Sequence, residues 1–189
     1  MQNREVVEEI NDRKLYLRKI SLGDSEFFFS SLKEEVVSKF LSLGPLLSKE
    51  HSQKLIRKYL KYWDKQIQFN YIIEIRKNNN NGNNAKIGSV NLWNISWLHK
   101  RAEIGIWINP KYWSMGLAKK SLNMIKIIAF NHLKLNRLEA HIAIDNKKSI
   151  NLFMKCGFSQ EGTLKKYLNL KGNYHDAVIL AYISLNKRQ

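Results

Sequence analysis

With 189 residues, 44% of them hydrophobic, the chain can bury a core unaided, and its single cysteine, Cys156, excludes a disulfide framework and a cysteine zinc cluster within one chain. Lys and Arg number 32 against 16 Asp and Glu, a formal net charge of +16, and such a field attracts polyanions and repels small polycations, which argues against a polyamine substrate. No apolar run approaches the roughly 18 residues of a bilayer span, and Met1 to Glu9 contains no apolar signal core, so the expectation is a soluble, cytoplasmic protein without a membrane partner.

Lys14 to Ile20, with Leu15, Leu17 and Ile20 apolar, predicts a first strand. Gly23-Asp24-Ser25 reads as a turn and cap before a helix that starts at Glu26-Phe27-Phe28-Phe29, and Gly44-Pro45 breaks the apolar stretch beyond it. Ser48 can cap a second helix that carries Leu55, Ile56, Tyr59, Leu60 and Trp63 on one face. Phe69, Tyr71, Ile73 and Ile75 alternate as a strand. Lys77 to Asn84 is a polar loop in which Asn81-Gly82 signals a hairpin turn, and Ile87 to Trp93 returns as the partner strand. Arg101 to Asn109 is a further strand, with Ala102, Ile104, Ile106 and Ile108 on one face and Pro110 as its stop. Ala118, Leu122, Ile125, Ala129 and Leu133 then fall at helical spacing. Arg137 to Ile144 is a strand, Asp145-Asn146 caps a short helix from Lys147 to Cys156, and Gly157 supplies its left-handed end. Phe158 opens another strand, and Ala177 to Ser184 supplies the last. One strand, two helices, a run of antiparallel strands and then strand-helix-strand-helix-strand predict a single α/β domain, its mixed sheet partly parallel in the C-terminal half.

Asn109 to Ala118 (NPKYWSMGLA) joins a strand to a helix through small residues. The first N–H groups of a helix lack internal partners, and the helix dipole adds roughly half a positive charge there, so the segment can trap an anion. Gly116 and Ala118 leave room for a phosphate, and Lys111, Lys119 and Lys120 flank it. Neither GxxxxGK[ST] nor GxGxxG occurs, which excludes a Walker loop and a dinucleotide fingerprint. His51, His99, His132, His141 and His175 have no metal-ligand spacing, so no metal is expected.

Trp113 to Ala118 resembles the pyrophosphate loop of the GNAT acetyltransferase superfamily, Gln/Arg-x-x-Gly-x-Gly/Ala, with Trp113 in the Gln/Arg place and Gly116 and Ala118 matching. Ala102-Glu103-Ile104-Gly105 lies before it, and Leu135 to Ala140, Asp145-Asn146-x-x-Ser149, Gly157-Phe158, Glu161-Gly162 and Gly172-x-Tyr174-His175-Asp176 follow in the family's order. Tyr112-Trp113 ahead of the loop is similar to the RimJ/RimL branch, which acetylates ribosomal-protein N-termini. The resemblance covers about residues 86 to 185, with acceptor-side helices at about 24 to 66. It implies a mixed, mostly antiparallel sheet splayed at the cofactor site, helices on both faces, and acetyl-CoA as co-substrate. Backbone amides of Met115, Gly116, Leu117, Ala118 and Lys119 would hold the pyrophosphate, the strand at Ile106, Trp107 and Ile108 the pantetheine arm, and Asn146 and Ser149 the opposite wall.

The implied reaction is attack of a neutral amine on a thioester, which requires orientation, a base and oxyanion donors. Glu103, Glu139 and His141 are the candidate bases, with Glu103 first as the motif position nearest the loop. Phe153 occupies the place where many superfamily members carry a tyrosine acid; Ser149 is similar in position to a serine suggested as donor to the thiolate in RimL-type enzymes, with Tyr167 or Tyr174 behind it. Trp93 and Trp97, with His99, are candidates to shape an acceptor pocket. A protein α-amine, with a pKa of about 7.7–8.0, needs less help than a lysine near 10.4. The RimJ/RimL resemblance implies a protein N-terminus as the expected acceptor, with possible ribosome association and a monomer or homodimer as the assembly. The alternatives are a small-molecule amine, such as an antibiotic or metabolite, and a basic nucleic-acid-binding module without chemistry.

Overall fold

Apolar alternation is what builds the sheet. In the computed structural model, which describes residues 6–76 and 84–184, eight strands form one sheet in the order β1-β2-β3-β4-β5-β6-β8-β7. They are β1 (Glu9–Asn11), β2 (Leu15–Lys19), β3 (Phe69–Ile75), β4 (Ala85–Ser96), β5 (Arg101–Ile108), β6 (Arg137–Ala143), β7 (Ser159–Leu170) and β8 (Asn173–Ile183). All neighbours are antiparallel except β5 and β6. The turn expected at Asn81-Gly82 lies outside the described residues, although β3 and β4 do pair.

The sheet is covered on both faces. Against one face, α4 (Leu117–Ile127, continued as a π-turn through Ile128–His132) and α5 (Lys147–Lys155) bury Leu122, Ile125, Ile150 and Phe153 against Leu17, Tyr71, Val90 and Ile104. Against the other, α1 (Ser25–Leu32), α2 (Glu35–Ser38) and α3 (Lys49–Asp64) gather Phe28, Leu32, Val37, Ile56 and Tyr59 around Ile20 and Ile72. Ser48 caps α3 by accepting the His51 N–H at 3.1 Å, as its position before the apolar stripe requires.

Three elements differ from the sequence reading. β1 is a three-residue edge strand with too little alternation to be read locally. The one-turn helix α2 interrupts the expected two-helix run. The last strand begins at Asn173, because Lys171-Gly172, both with positive φ, close a two-residue hairpin onto β7.

Covering both faces of β2 and β3 also buries charge. Asp24, with no exposed surface, accepts two hydrogen bonds from Arg18 at 2.7 and 2.9 Å and the Ser21 N–H at 2.8 Å, and pairs with Lys86 at 2.6 Å; Glu74 holds the other side of Arg18. Burial works to raise the Asp24 carboxyl, but the bonds from Arg18, Lys86 and Ser21 outweigh it and bring the pKa from 3.8 down to about 2. A depressed folded-state pKa contributes stability that is complete above the unfolded value and is lost as pH falls through the folded one. Asp24→Asn is therefore expected to lose about 2 kcal/mol at pH 7. In urea titrations, the gap from wild type should close as pH falls from about 4 to about 2; a pH-independent gap would assign the loss to packing.

Candidate active site

The parallel pairing of β5 with β6 stops early. Arg101, Ala102 and Glu103 pair with Arg137, Leu138 and Glu139, and beyond them the two strands diverge while each keeps its antiparallel partner. Among the described residues, the β5 edge from Ile104 to Ile108 that faces the gap has no strand partner. Ile106 is half-buried, the Trp107 ring lies against Phe27 at 5.6 Å and Phe28 at 5.4 Å on the face of α1, and Ile108 is buried.

At the end of β5 the chain turns into α4. Gly116 is the N-cap residue with φ 72°, a left-handed conformation that favours glycine, and nothing lies within 4 Å of where its Cβ would be. Met115 and Gly116 are exposed, Leu117 is buried, Ala118 is half-buried and Lys119 points to solvent, while the first hydrogen bond back into the turn is made by the Lys120 N–H. The amides before it are free to meet an anion. Across the gap, Asn146 caps α5 by accepting the Ser149 N–H at 3.2 Å. Trp113 ties the two sides together: its Nε1–H donates to the Ile108 carbonyl at 2.7 Å, and Lys148 on α5 lies 5.3 Å above its ring.

On the sheet face toward α3, Glu103 meets His141. The Glu103 Oε2 lies 3.1 Å from His141 Nδ1, and Oε1 accepts from Asn94 Nδ2 at 2.7 Å. Burial works to raise the Glu103 carboxyl; hydrogen bonds from His141 and Asn94 prevail and hold its pKa below the ordinary glutamate range. The Tyr167 ring meets His141 edge-on at 5.0 Å. Glu139 shares this face but is held by Arg137 at 2.5 Å and Arg101 at 3.3 Å, so its oxygens face cations already. Tyr174 is 66% exposed, and Phe153 packs against Phe158 in the core. Cys156 is buried, which pushes its thiol pKa up.

Beside Glu103 lies an open cavity of about 400 Å³, lined by Tyr62, Ile67, Gln68, Trp93, Asn94 and Ile95. Gly105 makes room for the Trp93 ring of its wall, since a Cβ there would sit 2.8 Å from that ring. Trp97 serves packing instead, donating to the Gln66 carbonyl and facing Phe69, and His99 is exposed in the following turn. Among the described residues, no group of three His, Cys, Asp or Glu side chains is placed to hold a metal, and no helix is long and apolar enough to cross a membrane.

An anion-binding helix start beside a splayed, amide-bearing strand edge fits a phosphorylated carrier with a peptide-like arm. The family model for the acetyltransferase (GNAT) domain matches residues 14–159. The chain belongs to the GNAT acetyltransferase family. It is 27% identical to the Bacillus subtilis N-acetyltransferase YoaA over 170 residues, 90% of this chain and 93% of that one. The crystal structure of a Vibrio cholerae spermidine N-acetyltransferase with CoA and spermine superposes with a TM-score of 0.78 at 26% identity, covering 91% of this chain and 96% of that one. RimL, a ribosomal L7/L12 α-N-protein acetyltransferase solved with CoA, superposes with a TM-score of 0.82, covering 93% and 98%; at 21% identity it carries the fold alone. This GNAT protein is thus an acetyl-CoA-dependent N-acetyltransferase, which displaces the non-enzymatic nucleic-acid reading.

The structure gathers Glu103 and His141 and sets Ser149, half-buried, at the start of α5. Ser149→Ala is expected to lower kcat about tenfold with the affinity for CoA unchanged, as read by steady-state kinetics and calorimetry; an unaltered kcat removes the hydroxyl from the reaction. The sequence reading gave Asn94 and Lys148 no place in the site and Trp113 only a motif position. Only Asn94 left a signal: it is a polar residue at the core parity of Val90 and Leu92.

Proposed function

We propose that this acetyltransferase acts on a protein N-terminal α-amine, as the RimJ/RimL branch does. The observation that carries this reading is the charge of the acceptor side. The residues lining the cavity include no carboxylate, and the Glu103 and Glu139 carboxylates of that face are already engaged. Tyr62 of the cavity belongs to α3, which exposes Lys54, Arg57, Lys58 and Lys61, with Lys65 just beyond its end, against the carboxylates Glu50 and Asp64. A polycation would approach this side against net repulsion.

Acetyl-CoA supplies the electrophilic thioester carbonyl and a thiolate leaving group. The amides of residues 115–119 and the unpaired edge of β5 would hold it, with Asn146 and Ser149 on the opposite wall. Glu103, ionised and bonded to His141 Nδ1, orients the imidazole so that Nε2 can take a proton from the amine, directly or through one water. Free strand amides of β5 beyond Glu103 serve as oxyanion donors. An α-amine near pH 7 is roughly one-tenth neutral, so a modest base suffices.

Full-length similarity to spermidine N(1)-acetyltransferase of Vibrio cholerae, 26% identical over 86% of this chain and 89% of that one, favours a second reading, a small polyamine. A panel of ribosomal-protein N-terminal peptides, spermidine and simple amines separates the two. The expected result is a kcat/KM for the best peptide at least about tenfold above spermidine. Preference for spermidine would overturn the N-terminal reading and leave the family activity standing.

A further inference from the structure

Strand parity and side-chain position disagree at one residue of β4. Val90 and Leu92 point into the core beneath α4, and simple alternation would send Asn94 after them. Its carboxamide instead lies on the opposite face, bonded to Glu103. The reason is a bulge. Trp93 pairs with Glu103 and Ser96 with Arg101, so β4 uses three steps where β5 uses two. Asn94 takes up the extra residue with φ 48°, a left-handed conformation that Asn tolerates better than other side chains with a Cβ. A bulge that re-aims a polar side chain out of a core and onto a buried carboxylate is a means of placing that carboxylate.

We propose that Asn94 is a positioning residue for acetyl transfer, which fixes Glu103 so that its second oxygen holds His141 Nδ1 and leaves Nε2 outside that bond. An ionised carboxylate only accepts, so Asn94 must donate through Nδ2, and this choice turns its Oδ1 away from Glu103. Because Asn94 also lines the cavity, the same side chain joins the acceptor wall to the proton-accepting pair. The other titratable groups around the pair are Arg101 on β5, Glu139 on β6 and Tyr167 on β7; Glu139 is held by Arg101 and Arg137. None of them reaches Oε1 in place of Asn94. The proposal rests on the reading of Glu103 and His141 as the proton-accepting pair.

The test uses the full chain and three substitutions. Asn94→Gly keeps the left-handed backbone at no steric cost and removes only the carboxamide. It is expected to lower kcat about tenfold, part of what a general base contributes, with a melting temperature lower by only a few degrees, the loss that a raised Glu103 midpoint implies. A ¹³C-carboxyl NMR titration should show the Glu103 midpoint rising relative to wild type. Asn94→Asp sets a second carboxylate against the first, and should raise that midpoint further and cut kcat more. Glu103→Gln serves as the reference for the pair itself. If Glu103→Gln slows the enzyme while Asn94→Gly changes neither kcat nor the Glu103 midpoint, this inference is wrong and the pair survives. If Glu103→Gln has normal kcat, both fall together.

Discussion

Gly116→Glu is expected to abolish productive binding of acetyl-CoA, lowering kcat/KM by at least about a hundredfold, while the protein stays folded. The two halves of this result have separate causes. The position is exposed and open, with no protein atom within 4 Å of where a Cβ would sit, so a side chain there meets no packed neighbour. Its φ of 72° penalises any residue with a Cβ, by about 1–2 kcal/mol, which a domain of this size tolerates. A carboxylate at the α4 N-terminus would itself be attracted by the free amides and would occupy the place of the pyrophosphate with like charge. Gly116→Asn, which accepts the left-handed backbone without the charge, should keep most of the affinity. Calorimetry with CoA and a thermal melt on both variants read the two effects separately. Normal turnover by Gly116→Glu would remove the loop from the site.

Glu103→Gln is the second large effect: a fall in kcat of about a hundredfold, with CoA affinity intact. The amide preserves shape and can still contact Asn94 and His141, but it cannot accept from both as an anion does. Hydrogen bonds hold the Glu103 pKa below the ordinary range, so the wild-type carboxylate is ionised throughout assays between about pH 6 and 8. The deficit should therefore span that whole range rather than appear on one limb. Steady-state rates with a saturating peptide acceptor check it. A deficit confined to the alkaline side, with the two rates converging as pH falls, would mean that Glu103 titrates in the working range and acts as the base itself.

Much of this architecture was legible because it is local. The helix caps at Ser48, Gly116 and Asn146 and the left-handed Gly157 follow from side chains within a few residues of each boundary. Ala102 to Ile108 declared its buried face by alternation, and the switch from antiparallel to parallel pairing followed from the order of elements. What was not legible depends on partners distant in the chain. Arg18 and Glu74 are 56 positions apart, and nothing near Asp24 announces a buried ion-pair hub rather than a helix cap. Glu103 and Glu139 have the same parity on adjacent strands, and only nearness to the loop motif ranked Glu103 first. Their difference comes from Arg101 and Arg137, which engage Glu139, and from Asn94 and His141, which engage Glu103. Trp113 was legible as a motif position, but its indole bond to the Ile108 carbonyl and its place under Lys148 depend on the fold. The cavity at Trp93 and Asn94 joins the end of α3 to the far end of β4, a meeting that no window along the chain contains.

A crystal structure with CoA bound tests the central claim most directly. The pyrophosphate should be held by the backbone amides of residues 115–119, and the pantetheine arm should lie along the β5 edge where β6 has diverged, its sulfur pointing toward Glu103 and His141. CoA seated elsewhere, with that edge and the α4 N-terminus uncovered, would contradict the account.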